Sequence, residues 1–188
     1  MKQLYNFIQE KLKINSKSKI NEIYEVGDII ENYNLGGNKY NLICCIREGD
    51  LEDKKPRFII DDDIMKYAFC GDISIDCKDE TDINGYENTN DIIHKYLTFC
   101  SQHTICGARE IRKKYSYDAY LPAIGELYRL NENIDLIDKK LKKSIKGLSF
   151  YSSTQYSDDK VYSLTIGNDK ISKTYTMYTG NILPFVKI

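Results

Sequence analysis

Tryptophan is absent from this chain of 188 residues, and only two histidines occur in it. Without tryptophan, the aromatic bulk of a core falls to sixteen tyrosines and six phenylalanines. Each tyrosine hydroxyl needs a partner, so many of these rings are expected at the rim of the core. The six cysteines (Cys44, Cys45, Cys70, Cys77, Cys100 and Cys106) match no zinc spacing, and two histidines are too few to complete one. No stretch approaches the roughly twenty apolar residues of a membrane-spanning helix, so no membrane partner is expected. A net charge of −1 argues against nucleic acid as a general partner. The opening MKQLYNFIQEKLKI is broken by Gln9, Glu10 and Lys11, where the apolar stretch of a signal peptide would run. These absences predict a chain made in a cytoplasm, with its cysteines reduced and held mainly as buried thiols.

The chain does contain enough apolar residues, 41%, for the core of one domain with a short appendage. Its charge is uneven. Residues 1–20 carry Lys2, Lys11, Lys13, Lys17 and Lys19 against Glu10 alone, whereas residues 48–91 are acidic, with Asp61 to Asp63 and a cluster at Asp76, Asp79, Glu80 and Asp82. Such an acidic run is expected to be a solvated face.

Leu4, Ile8 and Leu12 recur every four residues, flanked by Tyr5 and Phe7, so residues 1–14 are predicted to form an amphipathic helix. The polar NSKSKIN follows as a linker. A helix this short is marginal alone and must dock, on its own domain or on another chain. The division expected is an anchor over 1–20 and a domain over 21–188. IYEVGDII, YNLICCI and RFIID are predicted strands, separated by the turn NLGGN and the charged EGDLEDKKP. NTNDIIHKYLTFC is a predicted helix with Ile92, Ile93, Tyr96, Leu97 and Cys100 on one face, capped by Asn88 or Thr89. In YDAYLPAIGELYRL, Pro122 falls at or near the first helical position, Glu126 complements the helix dipole, and Gly125 permits close approach of another backbone. NIDLIDKKLKKSI continues as a second amphipathic pattern (Ile134, Ile137, Leu141, Ile145) ended by Gly147. LSFYSSTQ, KVYSLTIG, SKTYTMYT and ILPFVKI then follow as four strands, expected to form an antiparallel sheet with the first strands. Pro184 places the last at an edge, or lets it pair only past that residue. Helices between two sets of strands describe an α+β domain.

The order LPAIGEL, helix, GLSFYSSTQYS, VYSLTIGN, ILPFVKI resembles the C-terminal domain family of bacterial collagen-like adhesins, which have a C-type-lectin-like fold. The matching positions are Leu121, Pro122, Glu126 and Leu127; Tyr151, Ser152, Ser153 and Thr154; and Pro184 with Val186. DINGYENTNDI resembles the segment that precedes the first helix there. Over roughly residues 40–188, the resemblance implies a C-type-lectin-like domain with an antiparallel sheet and two to three helices. Tyr120 and Tyr151 stand where the family carries tryptophan, which implies core positions, and Leu183 replaces an arginine. The N-terminal stripe and linker are similar to the leaders that tether some bacteriophage virion proteins. That likeness implies a virion location, other virion proteins as partners of Leu4, Tyr5, Ile8 and Leu12, a host surface glycan or protein as ligand, and a homo-oligomer.

Candidate chemistry is sparse. Glu80, Asp82, Asn84, Gly85 and Asp91 fall at EF-hand-like positions, but Glu opens the set and Asp closes it, so the loop 79–91 is expected to be ordered without calcium. An Asx turn at Asn84-Gly85 accounts for the same residues. Cys100 and Cys106 bracket His103, and His94 lies nine residues before it, yet no oxyanion donor or orienting acid accompanies them. Ser152, Ser153 and Thr154 are expected to pair across a sheet. Formylglycine-generating oxidases share the broad fold but need two cysteines near the chain end, and none lies beyond Cys106. No cofactor is expected. The candidate binding face is the tyrosine set Tyr151, Tyr156, Tyr162, Tyr175 and Tyr178, taken to lie on the outer face of the C-terminal strands. The function expected is a non-enzymatic virion protein, with a bacterial surface adhesin as the alternative and an enzyme third.

Overall fold

The computed structural model describes residues 23–61, 63–68, 76–99 and 106–188. The predicted anchor helix with Leu4, Tyr5, Ile8 and Leu12 lies outside the described residues, as do Cys70, Cys100 and His103.

The N-terminal strands are β1 (Ile29–Leu35), β2 (Asn38–Ile46), β3 (Arg57–Ile60) and β4 (Met65–Ala68). Gly36 and Gly37 close the first hairpin with φ of +58° and +88°, a region open to glycine. Four helices follow, interrupted by one short strand: α1 (Gly85–Phe99), α2 (Gly107–Tyr115), β5 (Ala119–Tyr120), α3 (Ile124–Glu132) and α4 (Ile134–Asp138). The chain ends in β6 (Ser149–Ser157), β7 (Lys160–Thr165), β8 (Lys170–Tyr175), β9 (Thr179–Ile182) and β10 (Phe185–Lys187).

Two five-stranded sheets result, ordered β1-β2-β3-β10-β5 and β4-β9-β6-β7-β8. Pairing is antiparallel except between β6 and β9, which meet in parallel at Phe150 and Asn181. The second half of β2 together with β3 and most of β10 is buried on both faces. Leu42, Cys44, Phe58, Ile60 and Val186 face a core shared with α1 and α2. Ile43, Cys45, Ile59 and Phe185 face a second core with α3, α4 and the inner residues Phe150 and Leu164 of the second sheet. Burial on both sides is why LICCI, RFII and LPFV are continuous apolar runs in place of alternating ones.

This architecture corrects the expectation of an α+β, C-type-lectin-like domain with one antiparallel sheet and two to three helices. The described chain is mostly β, with two sheets and four short helices. The physical cause lies in two segments. The pattern over 134–145 yields only the five-residue α4, because Asp138 accepts bonds from Ile145 N at 3.0 Å and Ser144 Oγ at 2.9 Å and so turns the chain. ILPFVKI breaks at Pro184, which sends β9 to one sheet and β10 to the other. Pairing of β10 does begin past Pro184, between β3 and β5, so it is not an edge.

Three local expectations also change. Residues 23–28 turn at Gly27, and β1 starts only at Ile29. Helix α1 begins at Gly85, so Asn88 and Thr89 lie within it instead of capping it: Asn88 N donates to Asn84 O at 2.9 Å, and Thr89 Oγ1 donates to Gly85 O at 2.7 Å. Ala123 is the residue before α3, so Pro122 sits one position further out. Gly125 behaves as its sequence position implies. Its N–H donates to Asp82 O at 2.8 Å, and a Cβ there would lie 2.7 Å from that oxygen.

Candidate binding surface

Strands β6, β7 and β8 carry the tyrosines, and the register decides which of them face outward. Cross-strand neighbours share a face. Tyr162 is opposite Lys173, and Lys160 is opposite Tyr175, so these four lie on one face of the sheet. Tyr151 is opposite Ser163 and Ser163 opposite Ser172, which puts Tyr151 on the other face.

Toward one end of the first face, the apolar cover gives way to an exposed aromatic patch. Tyr156, Tyr175 and Tyr178 are 42%, 42% and 57% exposed, and Met177 beside them is 61% exposed. Tyr156 meets Tyr162 edge-on at 5.5 Å, and Tyr175 meets Tyr178 at 5.6 Å. Lys173 Nζ lies 3.7 Å from the Tyr156 ring centroid, and Lys160 Nζ lies 4.7 Å from that of Tyr175. Each ammonium therefore sits on the electron-rich face of a ring. The lysines were not among the residues singled out from sequence. Their alternation with tyrosine along KVYSL and KISKTY was the available signal.

Two of the five tyrosines do not belong to an exposed surface. Tyr162 is buried and forms the floor under Tyr156, packed with Leu164 and Ile166. Tyr151 is buried on the opposite face, where its ring lies against Gly180 and its hydroxyl donates to Tyr178 O at 3.1 Å. Both are core positions because the sheet is covered near its middle and open only toward one end. Tyr120, like Tyr151, is buried.

The other sequence candidates are structural. Asp82 is buried and its oxygens are already engaged: Asn88 Nδ2 donates at 2.6 Å, Thr154 Oγ1 at 2.8 Å and Asn84 N at 3.1 Å. Glu80 and Asp91 are exposed, and no described group of acids, histidines and cysteines clusters as metal ligands would. Ser152, Ser153 and Thr154 are fully buried. Ser152 Oγ donates across the sheet to Tyr162 O at 2.9 Å, while Thr154 Oγ1 accepts from Ile124 N at 2.9 Å and so caps α3 from another element.

The cysteines follow only in part the expectation of reduced thiols, mainly buried. Cys44 and Cys45 are buried thiols; burial pushes Cys44 up to about 12 and Cys45 well above its ordinary value, which leaves both inert. Cys77 is free but exposed. Cys106 is disulfide-bonded. A disulfide removes Cys106 as a nucleophile for His103.

A buried ionic network ties the elements beneath this sheet. Arg57 Nε donates to Glu126 Oε1 at 3.1 Å, Tyr120 Oη donates to the same oxygen at 2.7 Å, and Ala123 N donates to Glu126 Oε2 at 2.9 Å. Arg57 Nη2 also reaches Asp53 at 2.9 Å. Complete burial pushes the Glu126 carboxyl up to about 7, against the pull of Arg57 and the hydrogen bonds. With every donor and acceptor satisfied from within, the network positions β3, β5 and α3 and offers nothing to a ligand.

No family model matches the chain, and no curated protein matches it. Among solved structures, a fimbrial protein from Bacteroides ovatus aligns with a TM-score of 0.53 at 15% identity, over 77% of this chain and 36% of that protein. The chain thus spans about a third of the fimbrial protein's length, and at this identity the likeness is one of fold.

Proposed function

We propose that the chain is a non-enzymatic structural and adhesive domain, carried outside the cell as part of a larger assembly, whose contact surface for a protein partner is the patch of Tyr156, Tyr175, Met177 and Tyr178. The observation that carries this reading is the patch itself. Four large side chains of β6, β8 and the turn after β8 are left in solvent, Tyr175 edge-on to Tyr178, and Tyr156 and Tyr175 each with a lysine held over the ring. Exposed aromatic groups cost free energy unless something covers them, and tyrosine gives a wide contact at low entropic cost. The disulfide at Cys106 fits an oxidising surrounding better than a cytoplasm. The fold likeness to a fimbrial protein supports a surface-structure role and a place within a longer architecture.

The test is a Tyr156→Ala, Tyr178→Ala double variant, measured for incorporation into the native assembly or attachment to the target surface. A loss of tenfold or more with an unchanged thermal transition supports the reading. Wild-type attachment would end it. A virion is the second reading, favoured by the stripe Leu4, Tyr5, Ile8 and Leu12 and its linker. Recovery of the chain by mass spectrometry in purified particles, or its labelling on intact bacterial cells, separates the two.

A further inference from the structure

Strands β1 and β5 stand at the edges of one sheet, β4 and β8 at those of the other. Strand β5 is short and buried, and β4 runs into residues outside the described set. Strand β1 is interrupted between Ile30 and Tyr33, where Asn32 takes a φ of +56°. An irregularity of this kind turns an edge away from further pairing. Strand β8 has no such break. It pairs with β7 in unbroken register from Lys160↔Tyr175 to Thr165↔Lys170.

The direction of its main-chain groups follows from that register. Thr176 N donates to Asp159 O at 2.9 Å, so Tyr175 with Lys160, Lys173 with Tyr162 and Ile171 with Leu164 are the non-hydrogen-bonded pairs of the ladder. Residues in such pairs aim their N–H and C=O groups away from each other. Ile171, Lys173 and Tyr175 therefore present these groups at the open edge, where no described strand pairs with them. Tyr178 N reaches Tyr175 O at 3.2 Å, which leaves that oxygen its second lone pair. The chain leaves β8 for β9, which lies beyond β6, so this connection does not cross the edge. Lysines commonly blunt an edge strand, but the Lys173 ammonium is drawn inward, 3.7 Å from the ring centroid of Tyr156 on β6.

We infer that a second copy of the chain pairs here, β8 against β8 in antiparallel, about a two-fold axis at Lys173. That register engages every outward group, because it sets Ile171 opposite Tyr175 of the second copy and Lys173 opposite its equivalent. It is self-complementary on both faces. On the tyrosine face, isoleucine meets an aromatic ring; on the other, Ser172 meets Thr174 of the second copy. The like charges at the axis are held apart, since each ammonium lies over its own Tyr156. Such an interface is isologous and closes as a dimer. The second sheets of the two copies become one, and both tyrosine patches fall on the same face of it. The dimer thus offers the proposed contact surface twice, although the pairing itself does not depend on the adhesive reading.

The test is sedimentation equilibrium of the full chain, which is expected to give twice the chain mass. Lys173→Pro removes an outward N–H and no bond to β7, a change that edge strands accept, and should halve the mass with the thermal transition retained. Lys173→Cys, once oxidised, should form a 173–173 link in peptide maps, whereas Lys170→Cys, away from the axis, should form none. Where the proline variant unfolds, the 173–173 link decides, and its absence counts against the pairing. A monomeric wild type, a dimer that survives Lys173→Pro, or a 170–170 link overturns the proposal. Met177→Ala with Tyr178→Ala trims the patch away from the edge and should leave the dimer intact. A dimer lost in that pair and kept in Lys173→Pro sits on the patch, and the edge assignment fails. A monomeric chain that still attaches through Tyr156 and Tyr178 overturns the pairing while the adhesive reading stands.

Discussion

Arg57 and Glu126 lie 69 positions apart in the chain and 3.1 Å apart in space, both buried, and they join the third strand to the third helix. Neither charge has solvent to fall back on. The pair holds only because Asp53, Lys55 O, Tyr120 and Ala123 N complete its hydrogen bonds.

Removing one partner leaves the other buried and uncompensated. Glu126→Ala is therefore expected to destabilise the fold by about 3–5 kcal/mol in urea unfolding. Glu126→Gln keeps the shape and part of the bonding, and should cost less. An alanine variant within about 1 kcal/mol of wild type would show that the pair is not held as described.

The pH dependence follows from the same residue. An unfolded glutamate titrates near 4.3, whereas burial raises Glu126 to about 7 in the fold. The folded state thus binds more protons between these values, and stability falls as pH rises from about 4.5 to 7. Asp53 acts in another window. Against the upward push of burial, bonds from Arg57 and Lys187 hold it at about 2, so its contribution is present above about pH 4 and lost as pH falls through 2. Denaturation midpoints at pH 5 and 7.5 should differ in wild type and converge in Glu126→Gln.

The tyrosines divide by burial. Tyr151→Ala and Tyr162→Ala remove buried rings and should cost about 3–5 kcal/mol each. Tyr156→Ala and Tyr175→Ala remove exposed rings and should cost less than about 1 kcal/mol. Equal destabilisation in the two sets would place the exposed patch in the core.

Gly125→Ala should destabilise by about 1–3 kcal/mol, because a methyl at that position meets the backbone oxygens of Asp82 and Thr81 at 2.7 and 3.1 Å. Gly37→Ala provides the comparison. It has nothing within 4 Å, and its cost would come from its φ of +88° alone. Chemical denaturation of both variants separates crowding from backbone strain.

Asp82 is expected to act as an internal acceptor and not as a ligand. Calcium should give no calorimetric signal and no rise in the thermal midpoint. Asp82→Ala should lower that midpoint regardless of calcium, since Asn88 and Thr154 lose a buried partner worth about 1–3 kcal/mol each. Micromolar calcium binding lost in the variant would reverse the assignment.

Local signals carried much of the secondary structure. The apolar runs at 40–46 and 57–61 define β2 and β3, and the glycine pair at 36–37 defines the hairpin from β1 to β2, because strand patterning and positive φ are short-range properties. The mouth of α3, the close approach at Gly125 and the start of pairing past Pro184 were legible for the same reason, whereas the division of ILPFVKI between two sheets was not. Helix α2 passed unnoticed, although Ala108, Ile111 and Tyr115 form its buried stripe. Sequence by itself also determined which residue types could form a contact surface, since sixteen tyrosines must place some rings at the boundary with water.

Only the tertiary structure decided which rings those are. Tyr151 and Tyr156 sit in one strand, yet one is buried against Gly180 and the other is exposed under Lys173. Nothing local distinguishes them, because burial depends on what packs above each position. The division of the last strands between two sheets, the capping of α3 by Thr154 and the pairing of Arg57 with Glu126 are likewise long-range choices. Each depends on free energy gained between residues distant in the chain, which no window of sequence contains.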